Sequence, residues 1–208
     1  MGANIDTRPD QLSTRNATLK ELIEGAYALE NYQVTGGPEW IDGARFEVQA
    51  KPAGPATRQQ LLLMLRPLLA DRFKLSFHRE TKELSVYALV VAKGAKLKSY
   101  QGPEGAPLGY DRIGRNVTMA WLARYLTRYG SDMPVIDKTG LAGNYDLDLD
   151  LQKIVAAAVA DAGGTSPSVG NMFQATADAI ENRGLRLVRT KAPVDVLAID
   201  HAERPSAN

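Results

Sequence analysis

The chain has no cysteine among its 208 residues. This absence excludes disulfide bonds, metal sites built on thiolates and a cysteine nucleophile, because each of them needs a thiol sulfur. It leaves the redox state of the protein's compartment open, since an oxidising location tolerates a cysteine-free chain as well as a reducing one does.

A charge excess and a long apolar run are lacking too. The sequence has 25 Lys and Arg residues and 24 Asp and Glu residues. Its net charge of +1 therefore attracts the chain neither to phosphates nor to anionic lipid. The longest apolar run, around residues 61–69, is interrupted by Arg66 and Pro67. A membrane-spanning helix needs roughly 18 or more apolar residues. We therefore expect no nucleic-acid partner and no membrane span.

The motifs of common enzymes are missing as well. The sequence contains no Gly-x-Ser-x-Gly elbow, no Ser-x-x-Lys, no His-Glu-x-x-His and no phosphate-binding Gly-x-x-x-x-Gly-Lys. Standard serine hydrolysis and the common cofactors are therefore disfavoured, and we expect no cofactor.

A repeat is the main feature that the sequence does contain. Residues 15–19 recur as residues 115–119, and each match opens an amphipathic helix. Thr18 and Glu21 have the spacing of a capping box. The apolar residues that follow recur with the three-to-four residue period of a buried helical face. They are Leu19, Leu22, Ile23 and Ala26 in the first copy, and Met119, Leu122 and Leu126 in the second.

Two further blocks align in the same order. Residues 46–49 match residues 145–148, and their alternating apolar and polar residues predict half-buried strands. With short strands before them at residues 32–35 and 134–137, they predict one hairpin in each copy. Residues 75–89 then align with residues 185–199 without a gap, which predicts a second, closing hairpin in each copy.

A second helix precedes each closing block, at residues 58–72 and 171–183. Pro67 removes an amide donor from the first of these, so we expect a kink or an early break there. The alignment shift grows by about ten residues before the second closing block. We place this insertion at residues 153–170 and expect a mobile loop, because the segment ends in a Gly- and Ser-rich stretch.

The sequence thus predicts an α+β protein with an internally duplicated α-β-β-α-β-β unit, in which helices cover small sheets. The first repeat spans residues 13–98 and the second residues 113–204. A Gly- and Pro-rich linker at residues 99–112 separates them.

The candidate catalytic residues are His78, His201 and Glu203. Both histidines follow or lie on predicted strands, where a histidine usually has a structural or surface role. Asp200, His201 and Glu203 form the exception, because an imidazole beside carboxylates can act as a general base or bind a divalent ion. Neighbours on a strand point to opposite faces, however, so Asp200 and His201 are not expected to cooperate without a bend.

Asp146, Asp148 and Asp150 are weak candidates for a metal site, since they alternate with apolar residues along one predicted strand face. Adjacent members would lie about 6.6 Å apart along the strand. Calcium needs about six to eight oxygens, and one strand supplies too few of them. We therefore expect a solvated acidic face with weak or no calcium affinity.

Aromatic residues offer a third lead. Trp121, Tyr125 and Tyr129 recur at four-residue spacing on the third predicted helix, and Trp40 lies in the first copy. Such a stripe usually packs into a core. An exposed stripe would instead indicate a surface that contacts a partner.

Several stretches, Gly36-Gly37-Pro38-Glu39-Trp40 among them, resemble an uncharacterised family of exported soil-bacterial proteins called the soil-associated family. The others are residues 16–23, 68–75, 86–93, 137–146 and 192–197. Pro67 and residues 153–170 depart from the family's pattern. The helix and hairpin alternation also resembles the short amino-terminal domains of secretins and TonB-dependent receptors, which are periplasmic binding and docking modules. Neither resemblance supplies catalytic residues.

We therefore expect a non-catalytic extracytoplasmic binding or interaction module with an unknown small-molecule or protein partner. Met1-Gly2-Ala3-Asn4 lacks a basic stretch followed by an apolar one, so we expect a periplasmic or secreted protein whose export signal is missing from this chain. The alternative is an atypical hydrolase of small esters or lactones. It would use His201 or His78 with acidic partners, and calcium or zinc would be the candidate ions.

Overall fold

Helices and strands alternate along the chain, which confirms the α+β class that the sequence predicts. The computed structural model describes residues 5–95, 97–102, 112–113, 116–128 and 131–205. The chain divides into two units. Unit 1 comprises residues up to 83 and those from 193 onward, and unit 2 comprises residues 84–192.

Two long strands run through both units, and the other elements belong to one unit each. Unit 1 holds β1 (Ile5–Arg8), β2 (Gln11–Thr18), α1 (Leu19–Tyr27), a single 3-10 turn (Asn31–Gln33), β3 (Val34–Gly36), α2 (Trp40–Gly43), β4 (Arg45–Ala50) and α3 (Arg58–Arg72). Strand β5 (Ser76–Val91) begins in unit 1 and ends in unit 2. Unit 2 continues with β6 (Arg112–Ile113), α4 (Met119–Arg128), β7 (Val135–Asp137), β8 (Leu149–Asp150), α5 (Leu151–Asp161) and α6 (Val169–Glu181). Strand β9 (Leu185–His201) begins in unit 2 and ends in unit 1.

Strand pairing in unit 1 joins both neighbouring and distant segments of the sequence. β2 pairs in antiparallel register with both β1 and β4. β3 pairs in parallel with the end of β9, from Val34 opposite Leu197 to Gly36 opposite Ile199. β9 has β5 as its other neighbour.

The core of unit 1 lies between α1, α3 and these strands. The first helix begins at the predicted capping box, in which Thr18 Oγ1 accepts from the amide of Glu21 at 3.1 Å and Glu21 Oε2 accepts from the amide of Thr18 at 2.9 Å. The predicted apolar face of α1 is buried against the apolar face of α3. Leu61, Leu65 and Leu69 provide that face of α3. Each fully buried leucine stabilises the fold by roughly 1.5–3 kcal/mol relative to an exposed one.

Unit 2 has its own core. The predicted stripe of α4, formed by Met119, Leu122 and Leu126, is buried against residues of α5, α6 and the neighbouring strands. β7 pairs in parallel with the second half of β5, from Tyr87 opposite Val135 to Leu89 opposite Asp137. β6 pairs with β8 in antiparallel register.

All the predicted hairpins are wrong. In the first copy, β3 pairs with β9 and β4 pairs with β2. In the second copy, β7 pairs with β5, and residues 145–148 form no strand but only isolated bridges from Tyr145 to Ser99 and Val117. The closing blocks are the continuous strands β5 and β9 and contain no turn. The alternation of apolar and polar residues indicates that one face of a strand is buried, but it does not indicate which other strand pairs with it.

The predicted mobile loop is wrong in its first part, which forms α5. Asp150 caps this helix by accepting from the amide of Lys153 at 3.2 Å, and the alanines that follow have the highest helix propensity. Ile154 and Ala158 bury the inner face of the helix. The predicted early break at Pro67 is wrong too, because α3 continues to Arg72. The two units do not coincide with the predicted repeat boundaries, and the duplication stays a prediction.

Candidate functional site

His78 lies on β5 and contacts a carboxylate that is distant in sequence. Its Nδ1 is 2.7 Å from Oδ1 of Asp200 on β9, and both side chains are about half exposed. An imidazole whose Nδ1 meets a carboxylate is held in one orientation, with Nε2 directed elsewhere. Sequence reasoning missed this pair because 122 positions separate its members.

The second histidine pairs with another carboxylate. His201 lies next to Asp200 in sequence, and its Nε2 is 2.9 Å from Oε1 of Glu203. Both side chains are more than half exposed. Consecutive strand residues point to opposite faces, so Asp200 serves one histidine and Glu203 the other. The chain therefore has two exposed pairs of one histidine and one carboxylate in unit 1.

The three predicted metal candidates do not share a strand face. Only Leu149–Asp150 forms a strand, and Asp148 adopts a left-handed backbone with φ of 44°, which breaks the predicted alternation. Asp146 and Asp148 line one cavity, whereas Asp150 caps α5 and lines another. The described residues contain no group of three or more His, Asp or Glu side chains that could hold a metal ion.

The cavity that contains Asp146 and Asp148 lies within unit 2 and has a volume of about 770 Å³. Three segments build it: the turn that follows β5, the loop before β8 and the end of α6. We call it the charged cleft, because its walls carry side chains of both signs. The cations are Lys93, Lys98 and Arg183, and the anions are Asp146, Asp148 and Glu181.

Backbone contacts hold the three segments of the charged cleft together. The amide of Asp146 donates to the carbonyl of Lys98 at 2.8 Å, and the amide of Ala92 donates to the carbonyl of Gly184 at 2.8 Å. The guanidinium of Arg183 donates to the carbonyl of Asp148 at 2.9 Å. Gly184 has φ of 85°, and a Cβ at this position would lie 2.5 Å from the Cβ of Ala95. The cleft is therefore preformed around a close backbone approach that only glycine permits.

The aromatic stripe is partly buried in unit 2. Trp121 and Tyr125 stack with ring centroids 5.3 Å apart and pack against the core of that unit. Tyr129 lies outside the described residues. In unit 1 Trp40 stacks on Phe73, and the guanidinium of Arg204 lies 5.7 Å from its ring centroid. The prediction of a core role thus fits Trp121 and Tyr125 in part, since both side chains pack against the core but are only partly buried.

Comparison with known proteins identifies one family. The model of a family described as a protein of unknown function, DUF3738, matches residues 20–202. No curated protein and no solved structure matches the chain. Among the helices in the described part of the chain, none has the length and apolar character needed to cross a membrane.

Proposed function

We propose that this chain, which belongs to the DUF3738 family, is a non-catalytic binding or interaction module that works outside the cytoplasm. The location rests on the resemblance to exported soil-bacterial proteins and to periplasmic docking domains. The absence of cysteine is compatible with an oxidising compartment.

The charged cleft is the observation that carries the binding role. It is concave, it is preformed by backbone hydrogen bonds, and its volume of about 770 Å³ lies in the range of small-molecule sites. Its lining contains neither histidine, so it offers charge recognition without the usual general base. Cations and anions in one lining suit a ligand that carries both charges, such as a short zwitterionic peptide.

An atypical hydrolase of small esters or lactones is the second candidate. The contact of 2.7 Å between His78 and Asp200 favours it, because a carboxylate that orients an imidazole is part of many hydrolytic sites. Both pairs of histidine and carboxylate are exposed to solvent, which argues against a hydrolase. Water weakens the electrostatic stabilisation of the charge that develops in the transition state. A divalent cation would need further ligands beyond either pair.

A substrate panel separates the two candidates. The parent chain, His78→Gln and His201→Gln should show the same negligible turnover of short esters and lactones, and circular dichroism should report the same fold for all three. A hydrolase that uses either histidine as its general base should lose on the order of a hundredfold in rate when that residue is replaced. Turnover by the parent that disappears in one folded variant would establish the hydrolase.

Binding at the charged cleft is tested by nuclear magnetic resonance with the dipeptide Lys-Glu as the probe. Shifts of amide signals should concentrate at residues 92–98, 146–148 and 181–184. Lys98→Gln should weaken binding by about two- to fivefold, the effect of one exposed charge pair. Lys51→Gln, which removes an exposed lysine from unit 1, is the matched control and should bind the probe as the parent does. Shifts spread evenly over both units would count against the cleft.

A further inference from the structure

A second cavity in unit 2 has a different chemistry from the charged cleft. It lies between α4 and α6, close to the first residue of α5, and has a volume of about 340 Å³. Its walls are mainly aromatic and aliphatic: Tyr125, Leu126, Leu151, Val169, Met172 and Phe173. We call it the apolar pocket.

The apolar pocket is accessible from solvent. Val169, the first residue of α6 and one of the lining residues, is 68% exposed, which is unusual for a large apolar side chain. Tyr87 packs against Phe173, with ring centroids 5.5 Å apart, and so supports it. Trp121 supports Tyr125 in the same way. These ring pairs hold the walls in place, so an apolar guest would enter a formed site.

Polar groups in the apolar pocket are few, and one of them carries a charge. The hydroxyl of Thr176 donates its proton to the carbonyl of Met172 at 2.7 Å, so it has no proton left to donate to a ligand. Arg128, in the last turn of α4, is one of the lining residues and carries a guanidinium. Arg128 has another interaction, but a guanidinium has five N–H donors and can hold a carboxylate in addition.

We infer that the apolar pocket binds a small apolar molecule with one carboxylate, such as a medium-chain carboxylate, whose chain lies among the aromatic walls and whose head group meets Arg128. The size follows from the volume. At roughly 30 Å³ for each non-hydrogen atom, by analogy with the volume share of a water molecule, the pocket holds about eleven such atoms. Octanoate is a matching probe.

Calorimetry with octanoate and with its neutral isostere octanamide tests this inference on the full chain. Octanoate should bind with a Kd on the order of 0.1 mM, given the modest binding energy of a ligand this small. Octanamide should bind about tenfold more weakly, because it lacks the charge-assisted contact with Arg128. Arg128→Gln should abolish this preference by weakening octanoate alone.

Two exposed valines provide a matched pair of variants. Val169→Asp places a carboxylate at the pocket, where it should repel octanoate and reduce the affinity at least tenfold. Folding should be preserved, since an acidic residue suits the first turn of a helix. Val155→Asp makes the same change on α5 at a valine that is 38% exposed and outside the pocket, and it should leave binding unchanged.

Three results would overturn the inference. They are no heat of binding with octanoate at millimolar concentration, equal affinities for octanoate and octanamide, and equal losses in the two valine variants. The charged cleft shares no lining residue with the apolar pocket. A negative result with octanoate therefore does not decide the dipeptide experiment, which tests the proposed function separately.

Discussion

Replacing Pro67 by alanine should stabilise the chain, although most substitutions destabilise a protein. Pro67 lies inside α3, which continues for five residues beyond it. A proline at this position has no amide proton for the carbonyl of Leu63 and crowds the preceding turn. Alanine restores the donor and relieves the crowding, and its small side chain adds no new contact.

The magnitude follows from three contributions. A proline in a helix interior costs about 3 kcal/mol relative to alanine. Proline also restricts the unfolded chain, and losing that restriction removes about 1 kcal/mol of the gain. Leu63 is 42% exposed and therefore lies on the solvent side of α3, where water can satisfy part of the missing hydrogen bond. Pro67→Ala should therefore raise the free energy of unfolding by about 1–2 kcal/mol.

Urea denaturation followed by circular dichroism and by tryptophan fluorescence measures this change. Each unit has one tryptophan, Trp40 or Trp121, so coincident curves from both probes are needed for a two-state treatment. Pro55→Ala is the matched control. Pro55 lies in the exposed loop before α3, where its replacement should cost up to about 1 kcal/mol because the unfolded chain gains freedom. A neutral or negative effect of Pro67→Ala would refute the reasoning.

Two further stability predictions use the same assay. Leu65→Ala should lower the free energy of unfolding by about 2–5 kcal/mol, because Leu65 is fully buried in unit 1. Leu63→Ala, on the exposed side of the same helix, should lower it by less than about 1 kcal/mol. Similar losses for both variants would contradict the assigned buried face of α3. Burial raises the pKa of Glu24, and the hydrogen bond from Asn31 opposes this only in part. The folded state therefore holds the proton of Glu24 more tightly than the unfolded state does, so this contribution to stability is complete below about pH 4 and is lost as the pH rises through the folded pKa. Glu24→Gln should accordingly stabilise the chain at pH 7 and leave it nearly unchanged at pH 3.5, and a gain of equal size at both values would count against the burial effect.

The candidate sites were predictable in some of their residues but not in their arrangement. The sequence singled out both histidines, the three aspartates and the aromatic stripe, because each is chemically distinctive. It could not show that His78 meets Asp200, or that Asp146 and Asp148 join three cations in one cleft. Lys93, Lys98 and Arg183 carried no local signal, since basic residues in turns and at helix ends usually serve only solvation.

Local interactions determined what could be read directly from the sequence. The capping box of Thr18 and Glu21, the buried face of α1 and the two ends of α3 depend on residues three or four positions apart, and all three match the structure, although α3 has no break at Pro67. The tertiary structure alone decided the partners of each strand. β3 pairs with β9 across about 160 residues and β5 pairs with β7 across about 50, because the match between sheet faces outweighs the slowly growing entropy cost of closing a long loop. Alternating apolar residues specify a strand and its buried face, but the fit of that face with distant parts of the chain selects its neighbour.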